Sequence, residues 1–298
     1  VVIMDLSQVL LATMMAQIGN HKNAEITEDM FRHMAINSIR YNKRKFYAEF
    51  GELVIATDSK NYWRRQAFAY YKAGRKEGRE NSELDWAKIF EMMETVTNEI
   101  EAFLPYKVIR AEGAEADDII GTACHTYGKY LGSNDPILVL SGDKDFVQLQ
   151  KYTNVRQYAP AQKKWVNVDN ADDFLLTHII KGDKGDGIPN VLSDDDTFVL
   201  KKRQKTMTQK RLDILKSAIT FSDGGDIKVA SNDPLITEQI IRNIHRNKML
   251  VDLRSTPDKI KTSIIEQLEK PNEKDRSNLL PYFMEKKLRH LTEYLSDF

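Results

Sequence analysis

Ile137-Leu138-Val139-Leu140-Ser141-Gly142-Asp143-Lys144-Asp145 is an apolar run of four residues that ends on two small ones and then meets two aspartates. The run is too short for a helix and rich in branched side chains, so it predicts a buried strand with Asp143 just past its carboxyl end. Two other stretches repeat the pattern. Val1-Val2-Ile3-Met4 leads into Asp5, and Leu53-Val54-Ile55-Ala56-Thr57 leads into Asp58. A fourth apolar run, residues 106–110, also reads as a strand. Between the runs lie stretches with apolar residues at helical spacing, at 27–46, 86–103 and 116–130. Strand and helix alternating in this way predict an α/β fold, with a mainly parallel central sheet flanked by helices. Residues 154–158 and 164–168 read as a hairpin that completes it.

After Gly182 the strand signal fades. Residues 212–219, 235–245, 257–268 and 279–295 read as helices, and 193–196 and 222–233 as polar loops. The expected organisation is an α/β catalytic domain over 1–180 and a smaller helical domain over 181–298. There is no internal repeat or low-complexity tract.

Of the 298 residues, 41% are hydrophobic and 30% charged, as in ordinary globular proteins. No run approaches bilayer length, and residues 1–6 pass directly into an acidic motif, so neither a membrane span nor a signal peptide is expected. The single cysteine, Cys124, excludes an internal disulfide framework and suits a reducing cytoplasm. The net charge of zero does not exclude a nucleic-acid partner, because a carboxylate-rich site would offset a basic surface elsewhere.

In an open parallel sheet, ligands bind beyond the carboxyl ends of the strands. One aspartate there is ordinarily a turn residue. Three on three strands converge on one rim. Glu115, Asp117 and Asp118 join them in Glu-Ala-Asp-Asp, at the start of a helix where a single acid would be an ordinary cap. Asp145 follows Asp143, and Asp183 and Asp186 bracket Lys184-Gly185. So many acids repel one another unless cations lie between them. An all-oxygen ligand set suits Mg²⁺, with Mn²⁺ as substitute, rather than zinc. No paired cysteines, zinc-type histidine pair or serine nucleophile motif is present. Two ions ~4 Å apart can activate water and stabilise a leaving oxygen, so phosphodiester hydrolysis is the expected chemistry.

Just after Asp58, residues 61–80 are basic and aromatic. If the segment is helical, Lys72, Arg75, Lys76 and Arg79 share one face, and Trp63, Tyr70 and Tyr71 offer surfaces for base stacking. Beside an acidic cleft, cations that neutralise phosphate are the better reading of that face. Gly74 and Gly78 each lower helix propensity by up to ~1 kcal/mol relative to Ala. A second run, Lys201, Lys202, Arg203 and Lys205, is either a solvated face or a surface that follows a nucleic-acid backbone.

The motifs Ile3-Met4-Asp5-Leu6-Ser7-Gln8, Thr57-Asp58-Ser59-Lys60, Tyr70-Tyr71-Lys72-Ala73-Gly74-Arg75, Glu115-Ala116-Asp117-Asp118, Ser141-Gly142-Asp143-Lys144-Asp145 and Lys181-Gly182-Asp183-Lys184-Gly185-Asp186 occur in this order. The succession resembles the motif set of the flap endonuclease and 5′–3′ exonuclease family. Tyr62-Trp63-Arg64-Arg65 and the ending 291–298 look most like its T-even phage ribonuclease H branch. The resemblance implies a PIN-like nuclease fold with a helical arch over 71–104 and a C-terminal helical domain with a helix-three-turn-helix-like element. It implies a structure-specific 5′ nuclease acting on DNA flaps, duplex DNA ends and RNA–DNA hybrids, as in primer removal during phage DNA replication. It implies a first metal site of Asp5, Asp58, Glu115, Asp117 and Asp143, and a second of Asp145, Asp183 and Asp186, with Asp118 acting through water. Lys72 and Arg75 match the basic pair at the scissile phosphate; Arg64, Arg65, Tyr71, Lys76 and Arg79 are further candidate contacts. A monomer in the cytoplasm (the host's, if phage-encoded) is expected, with single-stranded-DNA-binding protein and sliding clamp as candidate partners. One departure stands out: Gly187-Ile188-Pro189-Asn190-Val191-Leu192-Ser193 lacks the later glycines of the family's turn, and Asp194, Asp195 and Asp196 follow it.

Two other functions compete. A haloacid-dehalogenase-type phosphatase needs an Asp two positions after its nucleophile, where Ser7 stands; rapid monoester turnover would favour it. A non-catalytic DNA-binding replication factor would leave this concentration of acids without a use. PIN-like ribonucleases share the acidic rim but usually lack the long second domain.

Overall fold

The computed structural model describes residues 1–20, 26–128, 135–222 and 225–298. The chain runs β1 (Val2–Asp5), α1 (Leu6–Asn20), α2 (Glu28–Phe50), β2 (Leu53–Ala56), α3 (Trp63–Ala67), α4 (Gly74–Glu80), α5 (Trp86–Phe103), β3 (Lys107–Ile109), α6 (Ala116–Tyr127) and β4 (Ile137–Leu140). It continues with β5 (Val155–Ala159), β6 (Lys164–Val166), α7 (Ala171–Lys181), α8 (Gln209–Ala218), β7 (Ile219–Phe221), β8 (Ile227–Val229), α9 (Glu238–Val251), α10 (Asp258–Glu269) and α11 (Leu279–Glu285). The last two residues of the stretch 116–130 lie outside the described residues.

These elements form two compact units, and they do not follow a single cut near residue 180. One unit comprises Val1–Lys60, Asp85–Asn167 and Asp258–Phe298; the other comprises Asn61–Leu84 and Val168–Pro257. The segment expected as an arch is correspondingly divided. α4 belongs to the second unit, whereas α5 is a helix of the first with Ile89, Met92, Val96 and Ile100 buried along one stripe.

The first unit is built on a six-stranded sheet of order β3-β2-β1-β4-β5-β6, parallel except for β6. Every residue of β1, β2 and β4 is buried, as expected of central strands covered on both faces. β1 pairs with β2 on one side and β4 on the other, so strand order reverses there. α2 begins on Thr27, whose hydroxyl accepts from the Met30 N–H, and ends at Gly51 with φ 78°. Its buried Arg32 donates to both carboxylate oxygens of Glu99 on α5, at 2.6 and 3.0 Å, and the Tyr282 hydroxyl of α11 donates to Glu99 at 2.8 Å. Burial pushes the Glu99 carboxyl up, but the donors from Arg32 and Tyr282 outweigh it and hold the group below its ordinary range. Stacking of Phe103 on Tyr282, with centroids 4.8 Å apart, completes the junction. It is this apolar and ionic junction that returns the C-terminal segment to the first unit.

The second unit packs α3, α7, α8, α9 and the β7–β8 hairpin around Phe68, Tyr71, Ile179, Val191, Leu215 and Ile244. α9 fixes the loop that follows α7. Asn247 donates to the Ile179 and Pro189 carbonyls and Asn243 to Val191, while Arg242 and Arg246 both grip Asp195. Residues 195–201, which follow this loop, form successive turns rather than a helix.

Candidate active site

Sheet order brings three of the expected acids to one rim of the first unit. Asp5 is the last residue of β1 and pairs in register with Ala56 of β2. Asp58 lies two residues past β2, and Asp143 three past β4. The Asp58 carboxylate accepts from the Ala116 N–H at 2.8 Å, so it meets the start of α6, where Glu115 is the N-cap. Asp117, in the first turn of α6, is half-buried.

Asp118 lies one residue further along α6. It is fully buried and its carboxylate accepts from the Glu115 N–H at 2.9 Å, within a capping box. This hydrogen bond ties Glu115 to the first turn of α6.

Groups that the sequence did not single out brace the rim. The Ser141 hydroxyl donates to Asp5 at 3.1 Å, and the Gln8 N–H donates to the other Asp5 oxygen at 3.0 Å. The Gln8 side chain accepts from Gly142 N–H, and buried Gln157 of β5 donates to the Ser141 and Asp143 carbonyls. Asp143 caps the 3-10 turn that follows, accepting from the Asp145 N–H at 3.0 Å. Asp145 is half-buried.

Electrostatics show the rim to be crowded with negative charge. Burial, then the neighbouring Asp58 charge and more weakly Asp143, push the Asp5 carboxyl up to about 7, although hydrogen bonds from Gln8 and Ser141 pull it down. Carboxylates forced together in this way are relieved by a hard cation between them. The donors Asp5, Asp58, Glu115, Asp117 and Asp143 are all oxygen and therefore fit one.

In the second unit, Asp183 and Asp186 sit in the turn after α7. Asp183 accepts from the Gly185 and Asp186 N–H groups, at 2.7 and 3.2 Å, and lies 3.2 Å from Nε2 of buried His178. His178 went unnoticed because α7 itself was not foreseen. Gly182 and Gly187 take φ of 67° and 72°, and a Cβ at Gly187 would come within 2.8 Å of the Tyr70 carbonyl. The turn is thus seated on residues 70–72. Asp186 receives Arg75 at 2.5 Å, the Tyr71 hydroxyl at 3.0 Å and the Lys72 ammonium at 3.6 Å.

The basic segment is only partly the face expected. Lys72 is outside α4, in the left-handed region with φ 56°, so it does not open a continuous helical stripe. Arg75, Lys76 and Arg79 are on α4, and Arg65 is exposed on α3. Burial, and then the adjacent Arg75 charge, lower the Arg79 guanidinium below its ordinary range. Two residues expected at a nucleic-acid surface are instead internal. Arg64 is 1% exposed and donates to the Leu250 carbonyl; Tyr71 is 3% exposed within the core of its unit. Lys201, Lys202, Arg203 and Lys205 are exposed, with Lys201 paired to Glu77 and Lys202 to Asp196.

A parallel sheet that collects acids past three adjacent strands, joined to a helical unit, defines a nuclease of the 5′–3′ exonuclease family, and the chain belongs to it: residues 14–175 match the model of the 5′–3′ exonuclease N-terminal, resolvase-like domain. Residues 170–298 match the C-terminal domain of T4 RNase H. The chain is 31% identical over 301 residues to the ribonuclease H of Enterobacteria phage T4, covering 99% of this chain and 95% of that one. Among solved structures, it is similar to the bacteriophage T5 flap endonuclease in a pseudo-enzyme-product complex with DNA and metal ions, with a TM-score of 0.62 at 17% identity over 90% of this chain and 99% of that one. The T5 5′-exonuclease with bound zinc gives a TM-score of 0.61 at 17% identity, over 90% and 98%. At this identity the likeness is one of fold.

Proposed function

We propose that this chain is a divalent-metal-dependent, structure-specific 5′ nuclease that cleaves DNA flaps, duplex DNA ends and RNA–DNA hybrids by a two-ion mechanism, with Mg²⁺ as the natural ion and Mn²⁺ as its substitute. The observation that carries this reading is the rim of the first unit, where Asp5, Asp58 and Asp143 follow three adjacent parallel strands beside Glu115. Asp5, Asp58, Glu115, Asp117 and Asp143 would hold the metal. A divalent ion there supplies Lewis-acid polarisation of a phosphate oxygen and activation of water for in-line displacement. The chain's own part is positional. Ser141 and the Gln8 N–H hold the Asp5 carboxylate, and Gln157 holds the Asp143 backbone, before any ligand arrives, which lowers the reorganisation the reaction demands. Lys72 and Arg75 are cations suited to a strand phosphate, with Arg65, Lys76 and Arg79 extending the positive surface of their unit. The relatives' names agree with this substrate class, a ribonuclease H in one case and a flap endonuclease crystallised with DNA in another.

The test is cleavage of a 5′-labelled flap, a nicked duplex and an RNA–DNA hybrid, with Mg²⁺ and with EDTA. Cleavage releasing 5′ fragments only in Mg²⁺ is expected. Asp143→Asn should lower turnover at least about 100-fold while the flap is still bound, since loss of even a supporting group at a metal costs 10–100-fold. Near-normal turnover in that variant would remove Asp143 from the site.

A further inference from the structure

Asp186 makes contacts unlike those of the rim acids. One carboxylate oxygen takes the Arg75 guanidinium at 2.5 Å; the other takes the Tyr71 hydroxyl at 3.0 Å and lies 3.6 Å from the Lys72 ammonium. A guanidinium, an ammonium and a phenol converging on one anion form the kind of donor set that recognises a phosphate oxygen. Two of these donors, Lys72 and Arg75, are the cations read above as phosphate contacts. The protein thus already supplies them with an anion.

The backbone shows which partner can move. The Lys72 N–H donates to the Asp186 carbonyl at 2.8 Å, and Lys72 holds a left-handed φ of 56°. Gly187, with φ 72°, lies so close to residue 70 that a side chain would meet the Tyr70 carbonyl. Tyr71 is anchored in the apolar core. Residues 70–72 and 185–187 are therefore joined as one piece, with the Asp186 backbone fixed to it. Arg75 can move. Its side chain is 46% exposed, and it stands on α4, a short helix that contains Gly74 and Gly78.

We propose that Asp186 is an internal stand-in for a strand phosphate: it holds Lys72 and Arg75 in the substrate-free protein, and a nucleic-acid phosphate takes over those cations on binding. Asp186 thereby keeps them poised, and it sets a threshold that only an anion competing for both can pass. The idea rests on the 5′-nuclease reading and gives Asp186, implied above as a ligand of the second ion, a positioning part before metal and substrate bind.

The experiment measures binding of a 5′-phosphorylated single-stranded oligonucleotide by fluorescence anisotropy in EDTA, where no metal contributes. Asp186→Asn should bind about tenfold more tightly, the factor expected when one charge-assisted hydrogen bond no longer competes. In a Lys72→Ala/Arg75→Ala background the same change should gain less than about twofold, because no cations remain to be released. Unchanged or weaker binding by Asp186→Asn would overturn the proposal. So would an equal gain in both backgrounds, which would reflect only the lost negative charge. Should Asp186→Asn fail to fold, the Arg75 Nη–H resonances of the wild-type protein, which belong to the group that donates to Asp186, decide: they should shift on saturation with the oligonucleotide, and their constancy overturns the proposal. Wild-type protein that neither binds nor cleaves would sink the nuclease reading itself. Cleavage by the wild type, with no gain in Asp186→Asn, would sink this inference alone.

Discussion

Asp5 concentrates the electrostatic cost of the site in one residue, and that cost can be measured. Its carboxyl ionises at about 7 in the folded protein against 3.8 for the unperturbed group. Between those values the unfolded chain has lost the proton and the folded chain retains it, so stability falls as pH rises through this window. Below pH 4 the penalty is absent, and above pH 7 it is complete. Three units correspond to on the order of 4 kcal/mol. Asparagine at this position still accepts from the Gln8 N–H and can donate to the rotatable Ser141 hydroxyl. In EDTA, Asp5→Asn should therefore gain stability over wild type from pH 4.5 to about 7 and then level off, as followed by thermal melts, and Mg²⁺ should close the gap at pH 8. A gap independent of pH would refute the assignment. The rim acids were legible in the sequence because each follows its strand within three residues. Ser141, Gln8 and Gln157 were not, because their roles depend on β4 lying beside β1 and β5 beside β4, which no local pattern encodes. Tyr71 and Arg64 were misread for the converse reason. A basic aromatic segment looks like a surface until the rest of its unit covers it.

At the scale of elements, the six strands of the sheet are legible to within two residues, α2 runs four residues past its expected end, and the omissions have physical causes. α1 is apolar on most of its circumference from Val9 to Ala16, so no face stood out. β7 and β8 are three residues each, too few to show alternation, and the turn between them read as loop. The basic run 201–205 reads in sequence as either a solvated face or a binding surface, and its structure sharpens the choice. Its backbone is fixed: the Lys205 N–H donates to the Ser193 hydroxyl, and the Lys205 carbonyl accepts from Asn190. Its side chains project outward, but Lys201 and Lys202 already have acidic partners. Since each phosphate contact contributes roughly −0.9 to the slope of log affinity against log salt, replacing Lys201, Lys202, Arg203 and Lys205 with Ala should flatten the slope on duplex DNA by ~2 rather than by the full set. The measurement is a salt titration of binding with Ca²⁺ in place of Mg²⁺. An unchanged slope would make the run a solvated face.

For the whole molecule, the composition of the chain and its packing divide it differently, and the difference has a consequence. Strand-rich sequence ends near residue 180, which makes 1–180 look like a separable catalytic domain. Yet the first unit is closed by Asp258–Phe298, from the far end of the chain. Ile264 of α10, Leu279, Tyr282 and Phe283 of α11, and Leu291 and Phe298 beyond it are all buried. At roughly 1.5–3 kcal/mol for each large apolar side chain, their removal forfeits on the order of 10 kcal/mol. That is comparable to the entire stability of a typical domain, about 5–15 kcal/mol. The loss is not only apolar. Glu99 would keep Arg32 but lose the Tyr282 hydroxyl and Lys286, and the Lys107 ammonium would lose the Leu268 and Lys270 carbonyls. A fragment of residues 1–180 should therefore show no cooperative thermal transition by circular dichroism, although it carries Asp5, Asp58, Glu115, Asp117 and Asp143. Residues 258–298 supplied as a separate peptide should restore a transition, because they contribute packing and need no covalent link to do so. A fragment that melted cooperatively by itself, within a few degrees of the full chain, would show that the C-terminal segment is an appendage to the first unit rather than a part of its core.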